Sequence, residues 1–146
     1  MQTTFQKINI TPDEFTTLTE LNDYIFMSKV DRTKLFSADI STNIKAISKN
    51  DYCFYNQYNQ LWCHVDTTDF INFTIEYYDA VLKNINKFVS TIPQSMQPSG
   101  KPFNKLLGSL DTRSYCEEIS KLAFSYITDY DTGYDRGKNR TKKVVV

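Results

Sequence analysis

The chain is short of the residues that build most catalytic and metal centres. Among 146 residues there are three cysteines, one histidine, one tryptophan, four glycines and four prolines. So few glycines and prolines argue against an all-β protein with many tight turns. One His with Cys53, Cys63 and Cys116 at unrelated spacings makes a four-ligand zinc site improbable, so neither metal nor cofactor is expected. The N-terminus lacks a charged stretch followed by an apolar run, and nothing approaches the length of a membrane span. Unpaired cysteines then imply a reducing, intracellular setting. No Gly-rich phosphate loop is present either. Gly133, Gly137 and Lys138 lack both the preceding strand and the required spacing.

What is present is aromatic. Ten Tyr and ten Phe bring the aromatic share to 14%, and a chain of this length suits one domain with a sizeable core. Charge balances overall but not locally. All 17 acidic residues lie at or before Asp135 with only 12 basic ones, whereas residues 136–146 hold five basic groups and no acid. An acidic body with a basic tail does not resemble a DNA-binding module whose basic surface belongs to the fold. The tail reads as a solvated linker.

Periodicity predicts a mainly α (α+β) architecture of four to five helices around a long central one, with one short β-hairpin. Residues 1–10 are expected as a leader, 11–128 as a single helical domain and 129–146 as a flexible tail or linker. Thr11-Pro12-Asp13-Glu14 has the form of a helix start, with Phe15, Leu18, Leu21 and Ile25 recurring after it to about Ser28. A second helix is expected after Asp31, carrying Phe36, Ile40, Ile44 and Ile47 on one stripe. Residues 52–65 break this pattern. Strand-favouring aromatics flank Asn56-Gln57-Tyr58-Asn59-Gln60, which predicts a hairpin. A Tyr58-Asn59 turn puts Tyr52, Phe54, Leu61, Cys63 and Val65 on one face and Cys53, Tyr55, Trp62 and His64 on the other. A three-residue loop would instead set the two hairpin cysteines opposite each other.

The long helix is expected from Thr67 to Ile92, capped by Asp66 or Thr67, with Phe70, Phe73, Tyr77, Val81, Ile85 and Phe88 on its main stripe. Pro93 stops it, and a loop runs from Gln94 to Pro102. A short helix from Phe103 to Leu107 should end at Gly108. A last helix capped by Asp111 should align Tyr115, Ile119, Leu122 and Tyr126, with Cys116, Ala123 and Ile127 beside them.

Candidate chemistry is sparse. His64 has Asp66 two residues on, and Cys63 and Cys53 lie near it, but no oxyanion element accompanies them, so a structural histidine is the plainer reading. Glu117 and Glu118 are adjacent on a helix and point apart. Tyr55, Tyr58 and Trp62, with Lys45 and Lys49 upstream, offer a stacking platform for unpaired bases. The competing and preferred role for Trp62 is a core anchor between hairpin and long helix. Lys101, Lys105 and Arg113 surround the Pro/Gly loop, where they can track a phosphate backbone or form an ordinary solvated rim.

One order of features is familiar. A helix carrying Leu35 and Phe36, the strand Tyr52-Cys-Phe-Tyr, a polar turn, Leu61-Trp62, a capped long helix and the segment Leu106 through Ala123 together resemble the N-terminal-like domain of poxvirus-type and phage-type primase–helicases. The resemblance covers about residues 31–128, and Trp62 is the residue carried over. The family's second Trp after the hairpin is absent, and Asp66-Thr67-Thr68-Asp69 stands there instead. No helicase segment follows, so an isolated domain or detached relative is expected. The resemblance implies a non-catalytic replication module binding single-stranded DNA, replication proteins or both, without membrane attachment. The alternative is a stand-alone viral or mobile-element protein that binds a host or defence protein.

Overall fold

The computed structural model describes residues 8, 10–48 and 51–128. The expected leader, the expected tail and Lys49 fall almost wholly or wholly outside these residues. The fold is mainly helical with a three-stranded antiparallel sheet, as the periodicity implied, but several boundaries differ.

Helix α1 spans Leu18–Ile25, six residues later than Thr11-Pro12 suggested. Two capping boxes compete in this stretch, and the second prevails. Glu20 accepts from the Thr16 and Thr17 backbone N–H groups at 2.9 and 3.0 Å while its own N–H donates to Thr17 Oγ1. Residues 10–16 instead run without helix or strand. They are held by Phe15 edge-on to Tyr24 at 5.3 Å and by Asn84 Nδ2 donating to the Asp13 carbonyl.

Helix α2 covers Lys29–Ile40 and starts three residues earlier than expected, at the Ser28 cap, whose Oγ accepts from the Asp31 N–H. Its Thr33 and Ser37 hydroxyls are buried and donate back to Lys29 and Thr33 carbonyls, so they lose no hydrogen bond to water. The predicted stripe through Ile44 and Ile47 is corrected: the helix stops at Ile40, and Ile44–Ser48 is a strand, β1. Ile44 and Ala46 both turn into the core in period 2, and pairing with β2 outweighs the helical spacing.

Strands β2 (Asp51–Asn56) and β3 (Leu61–Asp66) form the expected hairpin, so the sheet order is β1-β2-β3. Tyr55 faces Trp62 and Cys53 faces His64, the register the four-residue turn implied, and Cys53 and Cys63 therefore lie on opposite faces and share no disulfide. At the other edge of the sheet, Ala46 makes a lone parallel bridge to Thr128.

Helix α3, Thr67–Val89, is capped by Asp66 with Asp69 completing a box. At 23 residues it is about 35 Å long. Phe70, Phe73, Tyr77, Val81 and Ile85 are buried on the predicted stripe, joined by Thr74 and Tyr78. Phe36 of α2 sits among four of its rings, with centroids 4.8 Å from Tyr77 and 5.4 Å from Tyr78. Tyr52 of β2 stacks on Phe70 at 4.5 Å, which fastens the sheet to the rod.

The segment 94–100 holds a single 3-10 turn, Gln94–Met96. Helix α4 then runs Lys101–Leu110, longer than expected at both ends. Gly108 lies inside it, because an exposed glycine weakens a helix without breaking one. The glycine that does set geometry is Gly100, at φ +94°, where a Cβ would meet nothing within 4 Å. Helix α5, Arg113–Ile127, is preceded by Thr112 and not by Asp111, which instead closes α4. Its inward face is Cys116, Ile119, Ser120, Ala123 and Ile127, whereas Leu122 and Tyr126 are exposed and do not join the expected stripe. Helix α5 lies against both α2 and α3, and α4 touches α1 and α3.

Candidate nucleic-acid interface

Where α1 hands over to α2 the chain turns sharply at Phe26, Met27 and Ser28. The first turn of α4 approaches from the other side. Between them is a cleft of about 850 Å³, floored by Arg32 and Tyr115 and walled by Ile25, Met27, Lys29, Lys101, Lys105 and Leu106. None of the described residues lining it is acidic. Two helices begin on its rim: α2 at Ser28-Lys29 and α4 at Lys101. Helix N-termini carry partial positive charge, so they add to the four cations.

Arg32 is the structural centre of the cleft. It is only 5% exposed, yet it lines the cavity. One terminal nitrogen donates to Tyr115 Oη, and the other donates to the Tyr24 carbonyl at 2.7 Å and the Met27 carbonyl at 3.2 Å. The guanidinium also lies 4.9 Å from the Tyr24 ring centroid. These bonds hold the α1–α2 corner around the side chain. The Tyr24 hydroxyl and Arg32 are buried against each other, and among the described residues the Tyr78 hydroxyl has no hydrogen-bond partner. Burial holds both phenols well above their ordinary range.

Lys29 is partly neutralised by Glu118, 2.7 Å away on α5, and passes 5.6 Å from the Tyr115 ring centroid. Lys101 and Lys105 are exposed on successive turns of α4 and form no ion pair among the described residues. Phe26, 72% exposed, gives the rim one bare aromatic ring.

The six residues expected at a binding site are thus divided. Lys101 and Lys105 meet in the cleft. Arg113 does not join them, because Glu117 one turn along α5 takes its Nε at 2.9 Å. Tyr55, Tyr58 and Trp62 are on the hairpin, and none lines the cleft. Trp62 corrects the preferred reading: it is half-buried on the sheet's outer face, edge-on to Tyr55 at 5.5 Å, and takes no part in the core between hairpin and α3. Tyr58 stands at the turn, 59% exposed. Sequence reasoning missed Phe26, Lys29 and Arg32. A signal for Arg32 existed: it shares the i, i+4 stripe with Phe36 and Ile40, which places a guanidinium on a buried face.

The remaining polar clusters offer less chemistry. His64 Nε2 is 2.7 Å from Asp51 Oδ1, and Ser48 Oγ donates to Asp51 Oδ2 at 2.6 Å, so the carboxylate stands between hydroxyl and imidazole and keeps the imidazole from the serine. Those hydrogen bonds, first Ser48's and then His64's, lower the Asp51 carboxyl below its usual range. The expected neighbour Asp66 is not His64's partner, and Cys63 projects from the opposite face. Elsewhere Asp13 meets Asp39 and Tyr77. Tyr77 Oη donates to Asp39 Oδ2 at 2.6 Å, and burial, reinforced by Asp39, pushes the Asp13 carboxyl up to about 7. Among the described residues no three His, Cys, Asp or Glu side chains are grouped to hold a metal, and no helix is long and apolar enough to cross a membrane.

No family model, curated protein or solved structure matches the chain.

Proposed function

We propose that the protein is a non-catalytic nucleic-acid-binding module that engages single-stranded DNA through the cleft between the α1–α2 corner and α4. The single observation that carries this reading is the gathering of Lys29, Arg32, Lys101 and Lys105, with the exposed Phe26, in one concavity with no acidic lining residue among those described. Cations that track phosphates beside a ring that can stack on a base are the usual elements of single-strand binding. The replication setting, a domain of a viral or mobile-element primase–helicase acting inside the host cell, rests on the resemblance of the hairpin and long helix.

Fluorescence anisotropy with a labelled oligothymidylate tests the reading. Three neutralised phosphates predict an affinity loss of roughly 20-fold between about 50 and 200 mM salt. The Lys101→Ala/Lys105→Ala variant should flatten that dependence, whereas Arg113→Ala should not. Absence of binding to any oligonucleotide at low salt rejects the proposal.

A second reading, an interaction protein docking a host or defence protein, is favoured by Leu122 and Tyr126, 41% and 46% exposed one turn apart on α5. It predicts one stoichiometric partner that survives nuclease treatment and is lost in Leu122→Asp/Tyr126→Asp.

A further inference from the structure

Residues 10–16 belong to neither helix nor strand, so no repeating ladder of backbone bonds secures them. Side chains do it instead. Ile10 and Phe15 are buried in the core, Phe15 against the Tyr24 ring of α1. Between them Asp13 makes the polar attachment. Its carbonyl accepts from Asn84 Nδ2 of α3 at 2.9 Å, and its carboxyl is within hydrogen-bond reach of the Asp39 carboxyl of α2 and the Tyr77 hydroxyl of α3.

That cluster is one hydrogen short. Tyr77 has a single phenolic hydrogen and gives it to Asp39 Oδ2 at 2.6 Å. An ionised carboxylate only accepts, so contact between Asp13 and Asp39 needs one further proton, carried by the pair. With it, an O–H···O bond joins the segment to the end of α2. Without it, two negative charges face each other in a partly buried site and repel. The surrounding groups do not cancel that repulsion. Arg32 of α2 favours the ionised form, but its terminal nitrogens are committed to Tyr115, Tyr24 and Met27 and it forms no ion pair among the described residues. Tyr24 of α1 and Tyr77 and Tyr78 of α3 also act on Asp13, and burial keeps all three phenols neutral.

We propose that Asp13, Asp39 and Tyr77 are a proton-operated clasp: one shared proton holds residues 10–16 against α2 and α3, and its loss frees that segment while the helices stay folded. Burial, and after it the Asp39 contact, raise the Asp13 carboxyl from 3.8 to about 7. A group raised on folding contributes its full stabilisation below its unfolded value and loses it as pH rises through the folded one, so the clasp opens above about pH 7. What opens is a groove of about 260 Å³, walled by Glu14 and Phe15 on one side and by Asn84, Lys87 and Phe88 of α3 on the other. The clasp works whatever occupies the cleft.

The test is NMR on the full chain, with backbone amide relaxation measured at about pH 5.5 and about pH 8.5 and the Asp13 carboxyl carbon followed between them. Order parameters over residues 11–16 should fall from about 0.85 to below about 0.6 along the Asp13 titration, while those of α3 stay near 0.85. Asp13→Asn and Asp39→Asn each put a permanent N–H donor where the proton was. Either variant should keep the segment rigid at about pH 8.5, whereas loss of a merely structural contact would loosen it at both pH values. Glu14→Gln, exposed on the same segment, should loosen as the unaltered chain does. Equal rigidity of the unaltered chain at both pH values overturns the inference, and so does loosening at high pH in both amide variants. Loss of order in α3 together with the segment overturns it as well, because the opening is then global unfolding.

Discussion

Two polar clusters in this molecule contain bonds of the same length and have opposite meanings. Arg32 Nη2 donates to the Tyr24 carbonyl at 2.7 Å, and His64 Nε2 lies 2.7 Å from Asp51 Oδ1. The first is sealed within the α1–α2 corner at the base of a concavity. The second lies on an open sheet, with His64 and Asp51 side chains about half exposed. Water competes freely for the second bond and not for the first. The comparison shows that rare residue types do not mark a site by themselves. The single histidine, the single tryptophan and two of three cysteines occupy the hairpin, yet the cleft is built from Arg, Lys, Phe and Tyr elsewhere.

The contrast can be broken most severely by Arg32→Ala. It leaves Tyr115 Oη and the Tyr24 and Met27 carbonyls without their donor, and should cost about 2–4 kcal/mol in urea unfolding. A loss below about 1 kcal/mol would mean that water enters the corner freely, and the contrast with the sheet would disappear. Next in size, Lys101→Ala/Lys105→Ala should reduce oligonucleotide affinity by at least about tenfold while the urea midpoint stays in place, since both side chains are in solvent.

A smaller effect is expected at Asp13. Its folded carboxyl titrates at about 7 against the ordinary 3.8, so the folded state holds its proton more tightly than the unfolded state. Stability from this group is therefore complete below about pH 4 and declines as pH rises through 7. Asp13→Asn should raise the urea midpoint at pH 8 and lose that advantage by pH 4. A constant difference across the range would show that Asp13 is not the group involved. The smallest change belongs to His64→Ala, which should move neither stability nor nucleic-acid binding measurably. A clear loss of binding would transfer the site to the sheet.

Much of the scaffold was legible because its determinants are local. The Asn56–Gln60 turn located the hairpin and allowed two registers, of which the structure has the one pairing Tyr55 with Trp62, and Asp66 with Asp69 marked the start of α3. Strand β1 was not legible in the same way. Ile40, Ile44 and Ile47 fit a helical stripe as well as Ile44 and Ala46 fit a strand, and only pairing with Cys53 and Phe54 decides between them. The start of α1 was misplaced as well, because Thr11-Pro12-Asp13-Glu14 has the form of a cap while Thr17 with Glu20 makes the one that forms. Half of the cleft was in view through Lys101 and Lys105. The other half was not, because Arg32 and Tyr115 are 83 positions apart and meet only after α2 and α5 pack.

Gly100 carries a consequence for substitution. At φ +94° and ψ −178° its backbone occupies territory closed to ordinary side chains by handedness, yet a Cβ there would meet nothing within 4 Å. The demand is one of chirality and not of room. Gly100→Ala should therefore cost about 1–3 kcal/mol through backbone conformation alone, with no clash to relieve.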